Sequence, residues 1–573
     1  MHNVTTAREV VPGERQRAGR GRIYAGVAAN LPTLSETGLA VFTVLLLVLA
    51  FPDFNLWPLA WLAFVPLFAA ITRRPQTKSS FLLGWLAGTF YFYGSCYWLT
   101  YSPIRYGGIP APIAYFLLLP ITLIVGLFPA LCCAALARMI RRWGESALFA
   151  APFLWTTFEW ARLGVTGQLW NAVGYSQAYQ PFLIQVARWG GVYAVGFLIV
   201  TVNVAIAYTW LRKDVRVSLL VIFSVAFVMI LALLPYLWNT SLAPSSDVKR
   251  DAVVFAIQPN VPMERIESLI ESQRLIERHR SLSESALRWW DDETQDAEKN
   301  LRTIESKNPN GRRDEPQGDV VPRKALDIPR VVVWPESPMN FQYTRDTEFR
   351  EFVADFARRN HASVLFNSLE PAPANGAYNA AVLVNQEGRL IAQYDKIRLL
   401  PFGEYVPLPR WLPGVNMIPA MVGDFTPGVE YPLMPLGNDV RSGVFICFES
   451  AFPSIARHFA LNGADVLINI SNDGYLGPTP VIRQHLANAV FRAVENNRPV
   501  LRVTNTGTTA YITEHGAVKD ATASFQPDAR TWAIHRSDGA QTFYTRHGDL
   551  FAAACAAISL ILWLTAWRRK RIG

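Results

Sequence analysis

The sequence predicts an α-helical membrane domain of about eight transmembrane helices joined to an α/β layered domain. Three observations predict this. The 573 residues are 51% hydrophobic and include 18 Trp, 20 Tyr and 33 Phe. Only 17% are charged, below the usual quarter of a soluble protein. A long polar region, 250–546, alternates strand-like and helical patterns, as layered α/β domains do.

Residues 1–36 are polar, with Arg8, Arg15, Arg17, Arg20 and Arg22, and read as a disordered cytoplasmic extension. The apolar run 38–51 resembles a signal-peptide core. It leads into further apolar runs without a small-residue cleavage site, so it reads as a retained first span. Candidate spans lie at about 37–52, 56–72, 80–100, 112–138, 147–163, 189–211, 217–238 and 549–567. The first two and the fifth are short or interrupted. Spans one to seven make a membrane domain over 37–240, and 568–573 is a cytoplasmic tail.

Basic clusters set the orientation. They are the N-terminal arginines, Arg73-Arg74 with Lys78, Arg138 with Arg141-Arg142, Arg212-Lys213 with Arg216, and Arg568-Arg569-Lys570-Arg571. Each falls at a terminus or after an even-numbered span, so all five land on the cytoplasmic face. Seven spans then place 239–548 outside, and the eighth returns the chain. The net charge of +9 resides in these blocks, which topology explains better than a nucleic-acid stripe. No nucleic-acid partner is expected.

The outward loop after span five holds Glu159-Trp160-Ala161-Arg162, Gly167-Gln168-Leu169-Trp170-Asn171 and Gly174-Tyr175-Ser176-Gln177. It reads either as an interfacial aromatic belt or as a lipid-facing platform beneath the outer domain.

In the outer domain, strand-like runs occur at 252–258, 330–334, 363–367, 380–384, 443–448, 464–470 and 499–504. Helical patterns lie at 263–288, 346–359, 450–461 and 480–497. The stretch 291–324 interrupts the alternation. Of its 34 residues 16 are charged and none is aromatic, so it reads as a flexible surface insertion.

Three polar positions end or follow apolar strands, where functional groups gather in layered α/β domains. Glu336 follows Val331-Val332-Val333-Trp334-Pro335, and Pro335 stops the ladder. Lys396 follows Tyr394-Asp395. Cys447 ends Gly443-Val444-Phe445-Ile446 and is followed by Phe448 and Glu449. A thiolate is a nucleophile, a carboxylate in reach can take its proton, and an ammonium can steady an oxyanion. The Phe448 N–H at the turn is a candidate second oxyanion donor. From spacing alone the alternatives stay open: a small core residue for Cys447, a surface ion pair for Lys396, a cap for Glu336.

Of the five cysteines, Cys96, Cys132, Cys133 and Cys555 lie in apolar segments. Cys447 is the sole cysteine of the exported region and can form no disulfide within it, which suggests a reactive role. No spacing suggests a metal site, and no cofactor is expected.

Trp334-Pro335-Glu336, Lys396 with Pro401-Phe402-Gly403-Glu404-Tyr405, and Ile446-Cys447-Phe448-Glu449 resemble the Glu-Lys-Cys signature of the nitrilase, or carbon–nitrogen hydrolase, superfamily. Joined to eight spans, the chain is similar over roughly 37–567 to that superfamily's bacterial apolipoprotein N-acyltransferase family. Ile257-Gln258-Pro259-Asn260, Ser471-Asn472-Asp473, Gln484-His485, Arg498-Pro499, Thr504-Asn505-Thr506-Gly507 and Thr545-Arg546-His547-Gly548-Asp549 share the resemblance.

The resemblance implies an α-β-β-α sandwich on a helical membrane domain. It implies a transferase of the bacterial inner membrane, acting in lipoprotein biosynthesis. The acyl chain would come from a membrane phospholipid and go to the α-amino group of an S-diacylglyceryl apolipoprotein, by a ping-pong reaction through a Cys447 thioester. Glu336 would be the general base, Lys396 the oxyanion stabiliser and Cys447 the nucleophile. Glu404, Phe448 and Glu449 would support them, in a chain expected to be a monomer. Phe448 stands where Tyr is common, and Gly474-Tyr475-Leu476-Gly477 replaces a more usual Ala-Trp-Phe-Gly. The N-terminal extension and 291–324 are additional.

Two rival readings follow. A membrane-anchored amidase would use water as acceptor but needs one anchor, not eight spans. A transporter or structural protein with an inert domain conflicts with an intact Glu336, Lys396 and Cys447. The spans also lack a chain of buried ionisable residues, apart from Glu159 and Arg162 near the outer face.

Overall fold

The computed structural model describes residues 31–213 and 250–567 except 53, 264–268, 308–327, 337–338, 374–375, 402 and 407–424, with isolated positions between 214 and 249. The expected N-terminal extension lies outside the described residues up to position 30. Most of the expected seventh span, the insertion beyond 307 and the C-terminal tail lie outside them too.

Helices α1 (Leu34–Ala50), α2 (Val65–Arg73), α3 (Thr77–Ser95), α4 (Ala111–Trp143), α5 (Ala151–Thr166) and α6 (Ala187–Arg212) make the first domain. A final helix, labelled α11 below (Leu550–Trp567), packs against α4, α5 and α6. Among the described residues, three stretches are long and apolar enough to cross a membrane: Ala111–Thr166, Ala187–Arg212 and Leu550–Trp567. Leu34–Ala50 and Trp57–Arg73 are shorter apolar helices. Apolar side chains such as Phe116, Ile124 and Leu131 of α4, and Leu560, Ile561 and Leu564 of α11, stand exposed on the outside, as a lipid-facing surface requires.

The second expected span is not one continuous helix. Pro58 and Pro66 each open a new helical segment, a 3₁₀ turn over Trp57–Trp61 and then α2. Helices α3 and α4 meet at backbone distance. A Cβ on Gly84 would lie 2.7 Å from the Pro129 carbonyl oxygen, and one on Gly88 would lie 2.7 Å from Pro129 Cγ. Helix α6 is broken at Gly190 and Gly191, the latter at φ 65°, so a fresh helix start presents the Val192 N–H.

Among the described residues, the second domain carries two six-stranded sheets, ordered β12-β1-β2-β3-β4-β5 and β11-β10-β9-β8-β7-β6. The first holds β1 (Ala252–Gln258), β2 (Arg330–Val333), β3 (Ser363–Pro371), β4 (Ala377–Val384), β5 (Leu390–Asp395) and β12 (Asp528–Ile534). The second holds β6 (Leu433–Gly437), β7 (Val440–Ile446), β8 (Val466–Ser471), β9 (Val500–Thr504), β10 (Ala510–Ile512) and β11 (Val518–Lys519). In each, three central strands are parallel: β1-β2-β3 and β7-β8-β9.

Strand alternation builds the layers. Val254, Val331 and Leu365 of the first sheet pack toward Val444 and Ile468 of the second. Val253, Val332 and Val364 face the other way, toward α7 (Leu269–Lys307) and α8 (Thr347–Asn360). Helices α9 (Pro453–Leu461) and α10 (Val481–Asn496) cover the second sheet. The result is the expected α-β-β-α sandwich.

The reading of 291–324 as flexible insertion is corrected at its start. Helix α7 runs on to Lys307, Asp291 Oδ1 lies 2.6 Å from Arg330 Nη2, and Thr294 is buried. Asp292, Glu293 and Asp296 stand exposed on this helix beside the buried Thr294, a pattern that composition alone does not separate from disorder.

Apart from the exposed Arg483, helix α10 is buried, because the membrane domain covers its outer face. Its polar side chains bind across the junction. Gln484 Oε1 accepts from the indole N–H of Trp98 at 3.0 Å and of Trp170 at 2.9 Å. Its Nε2 donates to the carbonyls of Pro52 at 3.1 Å and Ser95 at 2.9 Å. Glu495 Oε1 accepts the Val192 N–H at 3.0 Å, and Arg492 donates to the Tyr175 hydroxyl at 3.1 Å.

Candidate active site

Cys447 stands at the end of β7 with φ 50°, a left-handed backbone that costs a non-glycine residue about 1–2 kcal/mol. The surroundings hold it there. The Cys447 carbonyl accepts from His485 Nε2 at 2.9 Å and from Asn469 Nδ2 at 3.4 Å. His485 Nδ1 lies 2.8 Å from Asp473 Oδ1, and Arg502 Nη2 donates to Asp473 Oδ2 at 2.8 Å. Although burial opposes it, Arg502 and His485 hold the Asp473 carboxyl below the usual carboxylate range.

Lys396 follows the end of β5 and is 1% exposed. Its Nζ lies 2.8 Å from Glu404 Oε1 and 3.6 Å from Glu336 Oε1. Asn379 Nδ2 donates to both carboxylates, at 3.0 Å to Glu336 and 2.7 Å to Glu404. The Asn472 N–H meets Glu336 Oε2 at 3.2 Å, and the Leu400 N–H meets Glu404 Oε2 at 2.7 Å. Burial works against the Lys396 ammonium, but Glu404 and then Glu336 outweigh it and raise its pKa. Burial, then the Glu336 charge, push the Cys447 thiol up, and Lys396 offsets this only in part. The thiol is therefore protonated at rest, and a nucleophilic attack requires a base.

Glu449 is fully buried and joins two of these segments. Its Oε1 accepts from Ile397 N at 2.8 Å, Arg398 N at 3.0 Å and the Tyr394 hydroxyl at 2.8 Å. Its Oε2 accepts from Ile446 N at 2.8 Å. Glu449 thus ties the backbone beside Lys396 to the backbone beside Cys447. Phe448 turns its ring to the membrane domain and stacks on Trp170, with centroids 5.7 Å apart and planes within 17°.

The three strand-end residues and Glu404 therefore meet in one place, with Glu449 and Phe448 beside them. Sequence reasoning missed Asn379, a strand residue that no local pattern marks. It named Ser471-Asn472-Asp473 and Gln484-His485 without placing them behind the Cys447 turn. The surface ion pair that spacing leaves open for Lys396 does not fit. Lys396 is buried, and Glu336 turns its carboxylate to Asn379, Lys396 and the Asn472 N–H. Among the described residues, no group of three or more His, Cys, Asp or Glu is placed to hold a metal ion.

Residues 44–205 match the family described as apolipoprotein N-acyltransferase N-terminal domain, and 329–542 match carbon–nitrogen hydrolase. The apolipoprotein N-acyltransferase of Geobacter metallireducens is 31% identical, covering 93% of this chain and 96% of that one. The apolipoprotein N-acyltransferase of Chlorobaculum tepidum is 28% identical, covering 93% of this chain and 97% of that one. An amidase from Nesterenkonia sp. aligns with 54% of this chain and all of its own, at 16% identity and a TM-score of 0.33. With a membrane-type N-terminal half, a carbon–nitrogen hydrolase sandwich and relatives matched over nearly the whole length, this chain belongs to the apolipoprotein N-acyltransferase family and is an acyltransferase.

Proposed function

We propose that this enzyme N-acylates lipoproteins by a ping-pong reaction, taking the acyl chain from a membrane phospholipid and holding it as a thioester on Cys447. The acceptor is the α-amino group of an S-diacylglyceryl N-terminal cysteine. The observation that carries this reading is the placement of Cys447. It shares a buried cluster with Glu336 and Lys396, and its neighbour Phe448 packs on the membrane domain through Trp170. A soluble-substrate amidase has no use for that second contact.

In the first half-reaction Cys447 Sγ attacks the ester carbonyl while Glu336 takes the thiol proton. The Lys396 ammonium and the Phe448 N–H steady the oxyanion. As the intermediate collapses, Glu336 returns the proton to the leaving alkoxide, and a lysophospholipid departs. In the second half-reaction the neutral amine attacks the thioester and Glu336 takes its proton. The C–S bond breaks, the amide forms, and the proton returns to the thiolate. Glu404 acts through Lys396, and Glu449 acts through the two backbones it joins, so both are positioning residues.

The thioester must wait between substrates, which requires that water be kept from its carbonyl. Trp170, Phe448 and Phe452 form an aromatic cluster at the turn that follows Cys447, which supports this. The basic clusters support a catalytic domain outside the inner membrane, where the acceptor is. The test is mass spectrometry of lipoprotein N-termini from cells depleted of this protein. Loss of the N-linked acyl chain is expected, and unchanged N-termini would remove the reading.

A further inference from the structure

His485 is flanked by two groups that only accept hydrogen bonds. Its Nδ1 is 2.8 Å from Asp473 Oδ1 and its Nε2 is 2.9 Å from the Cys447 carbonyl oxygen. A neutral imidazole carries one N–H and one lone pair. Either neutral tautomer therefore points a lone pair at an acceptor in a buried site. Turning the ring over puts carbons where the nitrogens were and satisfies neither partner. Only the doubly protonated ring serves both.

We propose that His485 is a buried imidazolium that polarises the Cys447–Phe448 peptide and so strengthens the Phe448 N–H as an oxyanion donor. The Cys447 carbonyl and the Phe448 N–H belong to one amide. A cation bonded to its oxygen draws electron density from its nitrogen and makes the N–H a stronger donor. Asn469 adds a second, neutral donor to the same oxygen at 3.4 Å. The same bond to His485 holds the nucleophile's φ of 50°. His485 acts through that peptide, so it is a positioning residue.

The groups facing the ring divide into two sets. Burial first, then the Arg502 guanidinium, pull the ring's pKa below the ordinary histidine value, while Asp473 and the Cys447 carbonyl work the other way. The two acceptors at hydrogen-bond distance argue against that direction and for a ring that keeps both protons. Asp473 stands between the two cations, taking Arg502 on both oxygens, at 2.8 and 3.1 Å. The Trp170 ring lies 5.7 Å from the imidazole, and Glu336 and Lys396 act on the thiol beside the same turn. The catalytic part of the inference rests on the proposed thioester reaction, whereas the charge of the ring does not.

The test uses the full-length protein in detergent micelles, labelled with ¹⁵N-histidine and assigned by the spectrum of His485→Gln. Two protonated ring nitrogens are expected for His485 at pH 7. A bare ring nitrogen there would overturn the proposal. In parallel, acylation of Cys447 by phosphatidylethanolamine is timed against pH. Wild-type acylation should slow as pH rises through the ring's titration. His485→Gln, which keeps one neutral donor, should be about 10-fold slower and lack that pH step. His485→Leu should be slower again. A protonated ring with wild-type acylation in His485→Gln would overturn the polarising role. Failure of the wild type to form any acyl-Cys447 would instead sink the thioester reading, leaving the ring's charge to be decided by its spectrum.

Discussion

Trp170 of the membrane domain lies flat on Phe448, the residue after Cys447, while its indole N–H is bonded to Gln484 of the catalytic domain. One side chain thus touches both the nucleophile's turn and the domain junction. Such a stack contributes about 1 kcal/mol beyond the area it buries. Trp170→Ala should open the aromatic cluster to water. The ratio of free fatty acid to transferred acyl chain should rise several-fold, and an unchanged ratio would show that Trp170 does not guard the thioester.

Glu404 shares a buried ion pair with Lys396. Removing one member of such a buried pair costs about 3 kcal/mol, and Lys396 would then keep only Glu336, 3.6 Å away. Glu404→Gln should lower the melting temperature and slow acylation of Cys447 about 100-fold. Thermal melts and acylation rates check this, and a variant with wild-type rates would remove Glu404 from the mechanism.

Asp473 supplies a pH signature for stability. Its folded pKa lies below the unfolded value of about 3.9, so its contribution is present above that value and lost as pH falls through the lower, folded one. Wild-type melting temperature in detergent should therefore fall on acidification below about pH 4. Asp473→Asn should melt lower at pH 7 and show a smaller loss on acidification. An equal loss would assign the acid sensitivity to other carboxylates.

The segment 291–324 divides in two. Deleting 308–324 with a short Gly/Ser bridge should leave expression and activity largely intact, because this highly charged piece carries no aromatic residue to bury. Deleting 291–324 should lower the yield of folded protein, because it removes the partner of Arg330 and the buried Thr294. Equal yields would show that the end of α7 is dispensable.

Cys447, Glu336 and Lys396 were legible because each interrupts an apolar strand with a chemical group at its end. The sandwich was legible because strands and helices alternate in distinct periods. Asn379 was not legible, since an asparagine in a strand is ordinary until two carboxylates from distant segments converge on it. Nor was the junction, because the helical pattern at 480–497 does not say what covers its polar residues Gln484, Arg492 and Glu495. Their partners Trp98, Tyr175 and Val192 lie some 300 or more positions away in sequence. The second span was legible as short or interrupted, and the structure places its break where Pro58 and Pro66 each open a new segment.

The central claim is that Cys447 carries the acyl chain between donor and acceptor. The measurement is intact-mass and peptide mass spectrometry of purified protein given phospholipid but no acceptor. One acyl chain should appear on Cys447, be released by neutral hydroxylamine, and be absent from Cys447→Ala and strongly reduced in Glu336→Gln and Lys396→Ala. A diacylglyceryl-cysteine peptide should then discharge it as the N-acyl product. Continuous release of free fatty acid from a Cys447 that never gains mass would contradict the account and favour a hydrolase.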